Sequence, residues 1–75
     1  KKYVMIEYDT PKAILLKATQ LTPGIESPTI ANLADENWLS VKSMILHEEA
    51  NKIMDELSEI GCRGVVLTRI ESARI

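Results

Sequence analysis

Glu48–Gly61 reads Glu48-Glu49-Ala50-Asn51-Lys52-Ile53-Met54-Asp55-Glu56-Leu57-Ser58-Glu59-Ile60-Gly61. Its apolar residues, Ala50, Ile53, Met54, Leu57 and Ile60, recur at the three- and four-residue spacing of one helix face. Glu48 and Glu49 occupy the first turn, where the helix dipole favours negative charge. Gly61 stands just past the last apolar position, where helices commonly stop. One amphipathic helix must bury that stripe against something, and the flanking segments supply it. Trp38–Leu46 (WLSVKSMIL) alternates Leu39, Val41 and Ile45 with more polar neighbours, the two-residue period of a strand. Gly64–Ile70 (GVVLTRI) is rich in β-branched residues and reads as a final strand.

Working towards the N-terminus, Thr29–Leu33 reads as a short strand, joined to Trp38–Leu46 by the polar turn Ala34–Asn37 as a hairpin. Lys2–Tyr8 (KYVMIEY) is a further strand, with Val4, Ile6 and Tyr8 on one face and Tyr3, Met5 and Glu7 on the other. Asp9-Thr10-Pro11 reads as a helix start, with Thr10 capping and Pro11 at the first helical position. That helix would run to Leu21, burying Ile14, Ala18 and Leu21 with Leu15 beside them. Thr22-Pro23-Gly24 ends it, and Ile25–Pro28 follows as an extended connection. The tail from Glu71 to Ile75 is given no element.

The order strand, helix, strand, strand, helix, strand defines an α+β, ferredoxin-like βαββαβ domain. Both crossovers share one hand, so the two helices lie on one face of a four-stranded antiparallel sheet. The other face is left without a helix, with Tyr3, Met5, Trp38 and Met44 as its expected lining. At 75 residues, 45% of them hydrophobic, there is room for one domain with a thin core. Self-association is the expected supplement, because the single cysteine, Cys62, allows no internal disulfide.

Nine basic residues against eleven acidic ones give a net charge of −2, which argues against nucleic-acid partners. No apolar run is long enough to span a membrane and no signal-peptide pattern opens the chain, so a cytoplasmic setting is expected. A start at Lys1 without Met is expected of a piece of a longer polypeptide. His47, the only histidine, reads as a helix-start residue, with no nucleophile or acid near it in sequence. Cys62 follows a helix C-terminus, which does not activate a thiol, and reads as structural. Gly24, Gly61 and Gly64 are scattered and form no phosphate loop. Asp35-Glu36 reads as a solvated turn. Two features stay open between structural and ligand roles: Asp9 at the end of the first strand, and the stiff, hydroxyl-bearing Pro23–Thr29 segment.

Three stretches, Tyr3-Val4-Met5 with Tyr8-Asp9-Thr10-Pro11, Pro23-Gly24-Ile25-Glu26-Ser27-Pro28-Thr29-Ile30, and Leu33-Ala34-Asp35-Glu36-Asn37-Trp38, closely resemble the C-terminal domain of long-form ATP phosphoribosyltransferases. Asn51–Leu57 and Ile60-Gly61-Cys62-Arg63-Gly64 extend the resemblance over essentially the whole chain. The resemblance implies a C-terminal regulatory domain spanning residues 1–75, without the catalytic domains that precede it in that family. The parent enzymes are Mg²⁺-dependent glycosyltransferases that join ATP to phosphoribosyl pyrophosphate in the first step of L-histidine biosynthesis. No catalytic residue, metal ligand or cofactor is then expected here. The resemblance further implies that L-histidine binds between neighbouring C-terminal domains as a feedback inhibitor. The matching positions are Asp9, Ile25, Ser27, Thr29 and Gly64. Assembly as a trimer or larger, a hexamer in the parent enzyme, is also implied. The rival reading is a stand-alone small-molecule sensor or assembly module, similar in layout to nitrogen-regulatory proteins.

Overall fold

A computed structural model describes residues 2–75. Four strands, β1 (Tyr3–Pro11), β2 (Thr29–Asn32), β3 (Trp38–Leu46) and β4 (Arg63–Arg69), form one antiparallel sheet in the order β2-β3-β1-β4. Helices α1 (Leu15–Leu21) and α2 (Ala50–Ile60) complete the βαββαβ order. This is the ferredoxin-like arrangement expected from the sequence.

Alternation in β1 and β3 decides what the helices cover. Val4, Ile6, Tyr8 and Thr10 are buried on one side of β1, and Leu39, Val41, Ser43 and Ile45 on the same side of β3. Against them pack Ala18 of α1 and Ala50, Ile53 and Leu57 of α2, with Ile14, Leu15, Leu21, Met54, Ile60, Val65 and Leu67 closing the periphery. The apolar stripe of α2 is therefore the main wedge of the core. Gly61 ends α2 in the left-handed conformation at φ 111°, which a residue with a Cβ adopts only at a cost. Its amide donates to Ser58 O at 3.2 Å and that of Cys62 to Leu57 O at 2.9 Å, satisfying the last carbonyls of the helix.

The first strand and helix differ from expectation at their junction. Asp9, Thr10 and Pro11 extend β1, pairing with Ser40, Leu39 and Trp38, and do not start a helix. Thr10 is fully buried and caps nothing; a 3-10 turn over Lys12–Ile14 precedes α1. The cause is long-range: nine residues of β3 offer a continuous ladder to β1, and Thr10 on the core face gains more from burial there than from a local cap. Pro11 is tolerated because it is the last residue of the strand. At α2, His47–Glu49 form a 3-10 turn with the acidic pair in it, and His47 is exposed without capping by its side chain. β2 and β4 differ from their expected bounds by only a residue at an end.

A buried polar chain ties α1 to the sheet. Tyr8 Oη and Thr22 Oγ1 are hydrogen-bonded at 2.7 Å, and Ser43 Oγ donates to Thr22 O at 2.9 Å. These bonds satisfy groups that burial would otherwise penalise. They also fix Thr22, the residue from which the Pro23–Pro28 segment departs. Gly24 follows at φ +75°, and a Cβ there would lie 2.8 Å from Ser43 Oγ. Only glycine lets the chain turn this closely over β3, which fixes the direction in which the segment leaves.

Burial pushes the Cys62 thiol up, with a hydrogen bond to Thr10 pulling partly back. Burial also pushes the Tyr8 phenol up, against the bond to Thr22, and the nearby Cys62 adds to the rise. In alkali the unfolded chain loses these protons first, so the native state then binds more of them and stability falls as pH rises. Urea midpoints should hold steady from about pH 6 to 8 and decline above about pH 8.5, by up to ~1.4 kcal/mol per group per unit. In Cys62→Ala the decline should begin later, towards the tyrosine range near pH 10. An onset unchanged by that substitution would contradict this reading.

Candidate functional site

The face of the sheet away from the helices carries Tyr3, Met5, Glu7 and Asp9 from β1, and Trp38, Ser40, Lys42 and Met44 from β3, as the register requires. Tyr3, Met5, Trp38 and Met44 are half-buried there. Two clefts open at this face. The larger, about 440 Å³, is bounded by Ile25, Glu26 and Ser27 of the Pro-rich segment, Thr29 of β2, Met5, Lys42 and Met44 of the sheet, and Arg74 and Ile75 of the tail. The smaller, about 190 Å³, is bounded by Asp9, Leu33, Asp35, Trp38 and Arg63.

The five residues singled out in the sequence divide between them. Ile25, Ser27 and Thr29, all exposed, stand together in the larger cleft. Asp9 lies in the smaller one, and Gly64 stands beside it: a Cβ on Gly64 would lie 3.7 Å from Asp9 Oδ2. Met5 borders one cleft and Asp9 the other, four positions apart along β1, roughly 13 Å.

Local structure explains each placement. Asp9 is held at a shift in the β1–β4 register, between the pairs Glu7↔Val66 and Asp9↔Arg63, an irregularity of the kind that re-aims side chains. Arg63 stacks over the Trp38 ring, its Cζ 5.0 Å from the centroid, a cation–π contact that forms one wall of the smaller cleft. Asp35 accepts a 2.9 Å hydrogen bond at Oδ1 from the Asn37 amide, fixing the β2–β3 turn above it. Ser27 is held loosely, its hydroxyl 3.5 Å from Pro28 O.

The clefts have opposite charge. Counting side chains, Lys42 and Arg74 outnumber Glu26 in the larger cleft, and Asp9 and Asp35 outnumber Arg63 in the smaller. Sequence reasoning passed over Lys42, Trp38, Arg63 and Arg74 as ligand contacts. A cation in mid-strand on the side opposite the core was the visible signal at Lys42. Nothing in the sequence marked Arg74. Among the described residues no group of three or more His, Cys, Asp or Glu side chains is arranged to hold a metal ion. No described helix is long and apolar enough to cross a membrane.

Fold and clefts together define the class: a ferredoxin-like α+β domain whose candidate ligand groups lie on the sheet face away from its helices. Residues 1–72 match the protein family described as "HisG, C-terminal domain". The chain belongs to that family. Its whole length is 44% identical to part of an ATP phosphoribosyltransferase of Salinispora tropica, and 44% identical to those of Corynebacterium kroppenstedtii and Salinibacter ruber. It spans 27% of the first of these relatives and 26% of the other two, about a quarter of their length.

Proposed function

We propose that this domain is the regulatory module of an ATP phosphoribosyltransferase of L-histidine biosynthesis, and that it binds L-histidine between neighbouring copies of itself as a feedback inhibitor. The observation that carries this is the division of Asp9 and Gly64 from Ile25, Ser27 and Thr29 into two clefts of opposite charge. A ligand seated where two neighbouring subunits meet could take one set from each. An amino acid suits such a pair, being cationic at one end and anionic at the other. Asp9 would meet a cationic group through a charge-assisted hydrogen bond, and the hydroxyls of Ser27 and Thr29 offer both donors and acceptors.

A ligand held between subunits favours their assembled arrangement, and assembly in turn favours the ligand; inhibition follows if that arrangement is the less active one. Self-association as a trimer or larger, within a hexameric parent enzyme in the cytoplasm, belongs to the same proposal. So does Mg²⁺, which would serve catalytic domains elsewhere in the polypeptide. The described residues offer it no ligand cluster, and no step here passes through it.

Sedimentation of the full-length protein with and without saturating L-histidine tests the coupling. The weight-average mass, or the dissociation constant of the assembly, should shift towards the larger species when histidine is bound. Bound histidine with no shift in either quantity would sink the coupling.

A further inference from the structure

The five candidate residues include one anion, Asp9, and no cation, so they provide no counter-charge for the carboxylate of an amino acid. The larger cleft supplies what is missing. Lys42 sits in the middle of β3 beside Thr29, its neighbour across the β2–β3 ladder. Arg74 reaches the same cleft from the tail beyond β4, and its Nη1 donates to Ser72 Oγ at 3.3 Å and Ala73 O at 3.4 Å. Both contacts use one nitrogen, so neither occupies Nε or Nη2 of the guanidinium.

We propose that Lys42 and Arg74 form the carboxylate anchor of the effector site, and that the tail carrying Arg74 is a working wall of that site. The proposal rests on the effector reading above and assigns to this chain's own side chains the end of the ligand that Asp9 cannot hold. Two other carboxylates face the pair: Glu26, lining the same cleft, and Glu7, opposite Lys42 across the β1–β3 ladder. Both make the surroundings of Lys42 and Arg74 less positive than the two cations alone would. Fork-shaped Arg donors match a carboxylate's two oxygens, whereas Lys acts as a point charge. Discrimination should therefore depend on both residues.

The test compares L-histidine with histamine, which keeps the imidazole and the amine but has no carboxylate. In the full-length protein, isothermal titration and competition should show histidine binding at least about tenfold tighter than histamine, the value of one charge-assisted bond. In the Lys42→Met/Arg74→Gln double variant the preference should narrow to about threefold or less, while histamine affinity changes by less than about twofold. Unchanged histamine binding shows that the site is still built. A preference that survives in the double variant overturns the proposal, as does a wild-type protein that binds both compounds equally; either leaves the effector reading standing. A wild-type protein that binds neither compound removes the effector reading and this proposal with it.

Discussion

Replacing Asp9 with Asn should weaken L-histidine binding by about 10- to 150-fold in the full-length protein, the range of a lost hydrogen bond to a charged group. Asn keeps the size and a carbonyl acceptor but removes the charge, so the loss reports pairing with a cation and not packing. Asp9 is half-buried at the end of β1 and takes no part in the apolar core; the melting temperature should therefore stay within a few degrees of wild type. Asp55→Asn, exposed on α2 and remote from both clefts, is the matched control and should bind normally. Titration calorimetry checks all three proteins. Equal affinity in Asp9→Asn and wild type would remove Asp9 from the site and leave the smaller cleft without a role.

Leu57→Ala should destabilise the domain by about 3–5 kcal/mol, the upper part of the range for a fully buried leucine. Leu57 is fully buried at the centre of the α2 stripe, in the cluster with Ile6, Tyr8, Val41 and Ala18. A chain of this size has a total stability of only about 4–11 kcal/mol, so the substitution should leave a large unfolded fraction at 37 °C. Urea unfolding followed by circular dichroism measures it. Leu16→Ala, on the exposed side of α1, should change the midpoint by no more than about 0.5 kcal/mol equivalent. Comparable losses in the two variants would mean that α2 does not seat as described. Binding to partner copies or to ligand raises the apparent stability of both proteins, so the comparison belongs at one protein concentration without histidine.

The contrast between these residues shows which parts of the molecule could be read from its sequence. The α2 stripe was plain because Ala50, Ile53 and Leu57 keep a strict helical spacing, and each is buried. β3 was plain from the two-residue spacing of Leu39, Val41 and Ile45, and its burial alternates throughout, with Ser43 taking the core position between Val41 and Ile45. The start of α1 was not. Asp9-Thr10-Pro11 has the chemistry of a helix cap, and only the presence of a long partner strand makes it the end of β1 instead. That partner is nearly thirty residues away in sequence, on the arithmetic of Thr10 pairing with Leu39, and no local pattern reports it.

The site divides in a similar way. Asp9, Ile25, Ser27, Thr29 and Gly64 came from motif resemblance, which names positions without saying which are neighbours. The fold separates them into two groups, and the proposal of a site shared between subunits rests on that separation. Gly24 was read as a helix terminator; its closeness to Ser43 Oγ gives it a second duty, holding the Pro-rich segment over β3. Lys42 gave only the signal of a cation in mid-strand opposite the core, and Arg74 none, since an exposed cation on a tail looks like any solvated charge until the cleft around it is seen.

The shared site is the central claim, and subunit complementation tests it most directly. Asp9→Ala loses the smaller half-site and Ser27→Ala/Thr29→Ala loses the hydroxyls of the larger one, so neither variant alone should bind histidine at wild-type strength. Mixed in equal amounts and allowed to exchange subunits, they should regain about a quarter of the wild-type sites, because a cyclic arrangement pairs two intact halves at that frequency. Recovery of that fraction at wild-type affinity is the predicted result. No recovery in a mixture proven to have exchanged would place all five residues around a ligand within one subunit and contradict the account.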